Sequence, residues 1–290
     1  MRGVCSLGGV GGAVLVVAVL GCESQVAETR QYAGTSVTSS APVGKGAVTI
    51  TNANGAVWVD TASESGALSV TGVPFATGAD DAAARAAAVS ALSSLKLSVL
   101  SDGQGGVTVT GGGDATKGFD LAVHLPYPFD GQLTISAQNG YVHYVGSSGS
   151  KGVTINVENG DIFVQDGGQN LQITGGTSNI DVITLPTVTG TTITTNVGDI
   201  SAQIPNASVL LITATAVTGG TVTPPPNKSV ELGDDDDDDD DDGTGATGTA
   251  VSTVSADHKS ATIQLGTLAS IQALKQYMQV RTGDGNIVFF

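Results

Sequence analysis

The side chains that could carry chemistry in this chain are few, and most of them are acidic. Asp234 to Asp242 form nine consecutive aspartates. Such a run attracts hard divalent cations in a diffuse way, because they take oxygen ligands, but it lacks the spaced ligands and glycine turn of a calcium loop. It reads as a solvated spacer. Asp161, Asp181 and Asp199 recur near turns, and with no basic residue beside them they read as caps that accept backbone N–H groups. His124, His143 and His258 lie far apart, and none is followed two to four residues later by a His, Cys or acidic partner, so the spacing of metal ligands is missing. No G-x-S-x-G elbow, phosphate loop or H-E-x-x-H occurs. The sequence therefore points to no catalytic residue, no metal and no cofactor, and the expectation is a protein that is not an enzyme.

Composition narrows the partners. The formal net charge is −16; removing the nine-aspartate run leaves −7, so the acidity is mostly one local feature. Eleven Lys and Arg are scattered without a cluster, which leaves nothing to neutralise a phosphate backbone, and nucleic acid is excluded as a partner. Charged residues make up 13%, about half the usual share.

The start of the chain carries an address. Arg2 precedes the apolar run Val10 to Leu20, too short for a comfortable permanent span, and residues 1–21 read as a signal peptide. Val19-Leu20-Gly21-Cys22 has the apolar, apolar, small, Cys order of a bacterial lipobox. It resembles the site at which a lipoprotein signal peptidase cuts before a lipid-modified cysteine. Cys22 is accordingly the expected lipidation site, and a thioether-linked diacylglyceryl group with an N-acyl chain would hold the protein to a membrane without crossing it. The other cysteine, Cys5, lies inside the signal, so no disulfide is available after processing. The expected location is the bacterial cell envelope, at the outer membrane or cell surface.

The elements that must position any site repeat at a fixed interval. Leu133 to Tyr144, Val153 to Val164, Leu171 to Val182 and Thr191 to Ala202 each read as an alternating strand, a turn and a short second strand, with turns at Gly140, Gly160, Ser178 and Gly198. Units this small cannot bury their own apolar faces and must stack. Asn-Gly between alternating strands also suits an antiparallel hairpin, but hairpins have no reason to keep one register at this interval. The expected fold is all-β, a β-solenoid-like stack in which Val153, Ile155, Val157, Ile162 and Val164 point inward. Ala47 to Val59 and Tyr277 to Phe289 read as further units of the same kind.

Two segments depart from the pattern. Asp80 to Leu95 begins with acidic residues and continues with helix formers, predicting one Ala-rich helix that covers an open end or face of the sheets. Residues 22–45 are polar and aperiodic and read as a flexible spacer, and the triple proline and aspartate run at about 224–248 read as a disordered insert within a domain spanning 46–290.

The repeats Asn159-Gly-Asp-Ile-Phe-Val164 and Val197-Gly-Asp-Ile-Ser201, the helix, and Gly283-Asp-Gly-Asn-Ile-Val288 together resemble the bacterial putative-adhesin family of β-strand-repeat domains, over about residues 46–290. The resemblance implies a β-solenoid-like fold and suspected adhesion, and brings no catalytic residue with it. Trp58, His143 and Phe163 occupy one place in their repeats, between the two inward residues after the turn. Stacked turns would bring His143 and Phe163 about 5 Å apart on an outward face. That row is either a candidate binding face for a surface glycan or protein, or a second small core beneath the helix. The function expected is a lipid-anchored envelope protein that interacts or adheres through a non-catalytic scaffold; the alternative is a structural or signalling component of the periplasm.

Overall fold

Alternating apolar residues, which put one side of each strand against a core and the other toward solvent, dictate a stack of strand pairs in the computed structural model. The structure describes residues 29–32, 36–63, 66–78, 80–91, 94–146, 151–166, 170–183, 190–203, 210–223, 251–265 and 277–290. The expected signal peptide at residues 1–21, Cys22 and the aspartate run lie outside these residues.

The regular units consist of a longer and a shorter strand: β9 (Gln132–Asn139) with β10 (Val142–Val145), β11 (Gly152–Asn159) with β12 (Ile162–Gln165), β13 (Leu171–Thr177) with β14 (Ile180–Ile183), and β15 (Thr191–Val197) with β16 (Ile200–Gln203). Each strand pairs in parallel with its counterpart in the next unit. The long strands build one eleven-stranded sheet and the short strands another. The fold is all-β, with stacked strand repeats and, among the described residues, one short helix, and the hairpin alternative does not occur within these units.

The inward residues form columns. Val142, Ile162, Ile180 and Ile200 align in the sheet of short strands, and Ile135, Ile155, Ile173 and Ile193 face them from the sheet of long strands. All eight are at most 1% exposed, as are Val153 and Val164, with Val157 at 2%. Stacking like on like fills each layer with branched aliphatic side chains and leaves no apolar face open between units.

The turns are fixed by close backbone approach. Gly160 has φ +136°, and a Cβ there would lie 2.0 Å from the carbonyl oxygen of Gly140 one rung away. Ser178 takes the equivalent place in the next unit. Its side chain is buried, and Gly175 makes room for it, since a Cβ on Gly175 would sit 2.7 Å from that of Ser178.

The ends are built differently. At one end lie β1 (Thr29–Tyr32), β2 (Val37–Pro42), β3 (Val48–Asn54), β4 (Val57–Ser63), β5 (Ala67–Gly78), α1 (Asp81–Ala91), β6 (Leu97–Ser101), β7 (Val107–Gly111) and β8 (Lys117–Pro126). At the other lie β17 (Leu210–Ala216), β18 (Val222–Thr223), β19 (Val251–Val254), β20 (Ser260–Leu265), β21 (Tyr277–Asp284) and β22 (Ile287–Phe289). The β3/β4 unit stacks between β7/β8 and β9/β10, and the β21/β22 unit stacks between β15/β16 and β17/β18. Sequence order and spatial order thus part company at both ends. The antiparallel ladders between named strands lie there too, joining β1, β2 and β8 to β5, β6 to β7, and β17 and β19 to β20.

Two expectations need correction. Residues 22–45 are not spacer throughout: Val37–Pro42 pairs antiparallel with Ala67–Gly72 and Thr29–Tyr32 pairs with Phe75–Gly78. The edge of β5 supplies backbone partners, which a polar sequence can use without an apolar pattern. The helix does not cover the aromatic row. It packs on β5 and β1, where Ala84 is buried and Ala87 lies against buried Ala76. Gly78 makes this close approach feasible, since a Cβ there would meet the Ala84 backbone nitrogen at 2.4 Å.

Candidate functional site

The outward side of the short-strand sheet carries the candidate residues. Because side chains alternate along a strand, the residue between two inward positions faces solvent. Parallel pairing then aligns these residues into one row: Trp58, His143, Phe163, Asp181, Ser201 and Val288. The three aromatic residues are consecutive in it. The rings of His143 and Phe163 meet edge to face with centroids 4.6 Å apart, and Tyr141 approaches His143 in the same manner at 6.0 Å. Trp58 is 39% exposed, while His143 and Phe163 are half-buried. Partial burial of His143 holds its imidazole below the ordinary value of 6.5.

A second row runs alongside, two residues earlier in each unit. Here the carbonyl oxygens of Tyr141, Asp161, Asn179, Asp199, Asn286 and Thr221 accept the N–H groups of Val57, Val142, Ile162, Ile180, Ile200 and Ile287 from the neighbouring rung. Side chains reinforce the ladder. The Asn179 N–H and its Nδ2 both donate to Asp161 Oδ1 at 3.1 Å, and the Asp199 N–H donates to Asn179 Oδ1 at 3.1 Å. The Asn286 N–H and Nδ2 donate to Asp199 Oδ1 at 2.6 and 3.2 Å, and Asn286 Oδ1 accepts from Thr221. Asp161 and Asp199 are thus the backbone-accepting caps expected from the sequence.

Asp181 is not. It lies in β14 after Ile180, in the outward row rather than at the turn, because Thr177-Ser178-Asn179 places Asn179 where its neighbours hold aspartate. Its Oδ1 is buried without a hydrogen-bond partner.

Between the two rows lies a groove of about 660 Å³, lined among others by Tyr141, Phe163, Asn179, Asp181, Ser201 and Asn286. Its walls carry three carboxylates, amides and hydroxyls and no Lys, Arg or His. The Tyr141 phenol is held above its ordinary 10.0, first by burial and then by the nearby charges of Asp161 and Asp181. A shallower groove of about 540 Å³ on the long-strand sheet, bordered by Thr51, Ser136, Asn156 and Thr174, contains no aromatic ring.

Sequence spacing also missed a contact beside Trp58. His124 Nδ1 and Asp60 Oδ1 are 2.8 Å apart although 64 residues separate them. The signal exists only through stacking, since β4 and β8 pair in parallel with these residues opposite one another. Among the described residues no group of three or more His, Cys, Asp or Glu is arranged to hold a metal ion, and no helix is long and apolar enough to cross a membrane.

No family model matches the chain, and no curated protein matches it. Among solved structures, the chain is similar to a "putative cell adhesion protein" from Clostridium sporogenes at 10% identity, with a TM-score of 0.44, over 88% of this chain and 98% of the other.

Proposed function

We propose that this chain is a lipid-anchored protein of the bacterial cell envelope that works by binding rather than catalysis. In this reading the stack is a rigid scaffold, and the outward face of the short-strand sheet contacts a surface glycan or an envelope protein. The carrying observation is the aligned row of Trp58, His143 and Phe163, which the helix leaves uncovered. Aromatic side chains on a rigid strand surface present large contact area at little entropic cost, which suits both ring stacking and protein recognition. The lipobox at Val19 to Cys22 supports the anchor, and the resemblance to adhesin-type repeats supports the interaction role.

Cell fractionation tests the anchor: Cys22→Ala is expected to move the protein from the membrane fraction to the soluble fraction, and continued sedimentation with membranes overturns lipid attachment. Protease treatment of intact cells tests adhesion. Digestion of the native protein is expected, whereas complete protection would place it inside the envelope and favour the structural or signalling role. Phe163→Ala in the full chain is expected to weaken attachment to whole cells or envelope preparations without lowering the amount of folded protein.

A further inference from the structure

We propose that the outward face of the long-strand sheet binds ice. This face lies across the core from the aromatic row, so the inference stands apart from the interaction reading above. Alternation turns every second residue of the long strands outward. Parallel pairing without a register break then aligns Thr108, Thr49, Thr134, Thr154, Gln172 and Thr192 in one row. Two residues on, Thr110, Thr51, Ser136, Asn156, Thr174 and Thr194 form a second row. Nine of these twelve residues are threonine, none is charged, and all are exposed or half-buried. Strand propensity alone does not account for this, because threonine favours any strand. On the short-strand sheet the row of Trp58, His143, Phe163, Asp181 and Ser201 holds no threonine, nor does the row of Asp60, Val145, Gln165, Ile183 and Gln203.

Spacing identifies the partner. The side chains stand about 4.8 Å apart from rung to rung and about 6.6 Å apart along each strand, a rectangular net close to the oxygen repeats on a prism face of hexagonal ice. A peptide or a glycan chain repeats in one direction only and would leave the second unused. Each threonine offers a hydroxyl that both donates and accepts, as lattice water does, and β-branching confines its hydroxyl and methyl to few rotamers. Water over the methyl groups finds no partner in the protein and completes its hydrogen bonds with other water, which favours an ordered layer. A charged side chain would instead hold a hydration shell out of step with the lattice. The first charge in either row is Arg281, one rung beyond Thr194.

The test holds a single ice crystal in a solution of the full chain and records its shape and the gap between its melting and freezing points, alongside the partition of fluorescently labelled protein into slowly grown ice. Faceted crystals, a measurable gap and enrichment in the ice are expected. Rounded discs with the label left in the liquid overturn the proposal. Thr154→Tyr, near the centre of the net, and Thr174→Tyr, at an exposed position of the second row, should each reduce the gap several-fold with the thermal midpoint unchanged, because a ring there lifts neighbouring rungs off the surface. Gln165→Tyr adds a similar bulk to the outward side of the other sheet and should leave the gap as it is. An undiminished gap in both threonine variants, or an equal loss in Gln165→Tyr, overturns the long-strand face as the site. Cell attachment, read through Phe163→Ala, fails or holds independently of all these outcomes.

Discussion

Between β9 and β16 each turn of chain lies on the one before it, whereas at both ends a unit is threaded between two others that precede or follow it by many residues. The same side-chain columns run through all of them: Val57 and Ile287 continue the column of Val142, Ile162, Ile180 and Ile200. Identical packing is therefore reached by two different chain paths. The difference shows that the column of inward residues defines a rung, while the chain path decides only when that rung is filled. It also separates the roles of the antiparallel strands, which close the ends, from those of the parallel strands, which carry the aromatic row.

The largest expected effect comes from deleting residues 277–290. In a stack filled in sequence order, loss of the last unit would shorten the rod and leave the rest folded. Here it would remove the partner of both β15 and β17, so cooperative unfolding should be lost and circular dichroism should show depleted strand content. A truncated protein that melts like the intact one would break the comparison. Next comes the middle of the stack, where Ile162 is buried between Val142 and Ile180. Ile162→Asp places a carboxylate in an apolar interior at a cost of several kcal/mol, enough to abolish folding of a marginally stable domain. Phe163→Asp, one residue on but outward, should cost only about 1 kcal/mol through the lost ring contact, and denaturant titration of the pair measures the ratio.

A smaller effect separates stacked turns from isolated ones. Gly160→Ala combines left-handed backbone with a collision against the Gly140 carbonyl and should cost about 3 kcal/mol, whereas Gly66→Ala meets no atom within 4 Å and should cost about 1 kcal/mol. Equal losses would mean that rung contact does not constrain the turns. The smallest effect is that of pH. Burial lowers the His143 pKa in the folded protein, so folding favours the neutral ring; its contribution is fully present above 6.5 and is lost as pH falls through the lowered folded value. The thermal midpoint should decline below pH 6.5 by slightly less in His143→Gln, and imidazole resonances in NMR titration should place His143 below the ordinary 6.5.

What could be read from the residues followed from local alternation. Val153, Ile155 and Ile162 announce their burial because inward and outward residues alternate within one strand, and the adjacency of His143 and Phe163 follows from the twenty-residue interval alone. Asp181 was misplaced among the turn caps because its unit carries Ser178 and Asn179 where neighbouring units carry glycine and aspartate, which shifts the apparent motif by two residues. The order of the end units has no local signature, since β21 meets β15 through residues that would suit any rung equally well. The strand Val37–Pro42 was missed for a related reason: its partner edge, not its own side chains, decides its conformation. The groove needed both kinds of information, because its lining comes from positions two residues apart in six units, including the one threaded in from residues 277–290.

The threaded unit also bears on how the molecule responds to force. A strand at the end of a stack can be peeled away one hydrogen bond at a time. β21 is held between β15 and β17, and β22 between β16 and β18, so tension applied at Phe290 loads two ladders in each sheet along their length. Rupture then requires many bonds to fail together, and the rod resists pulling from this side as a clamp rather than as a zipper.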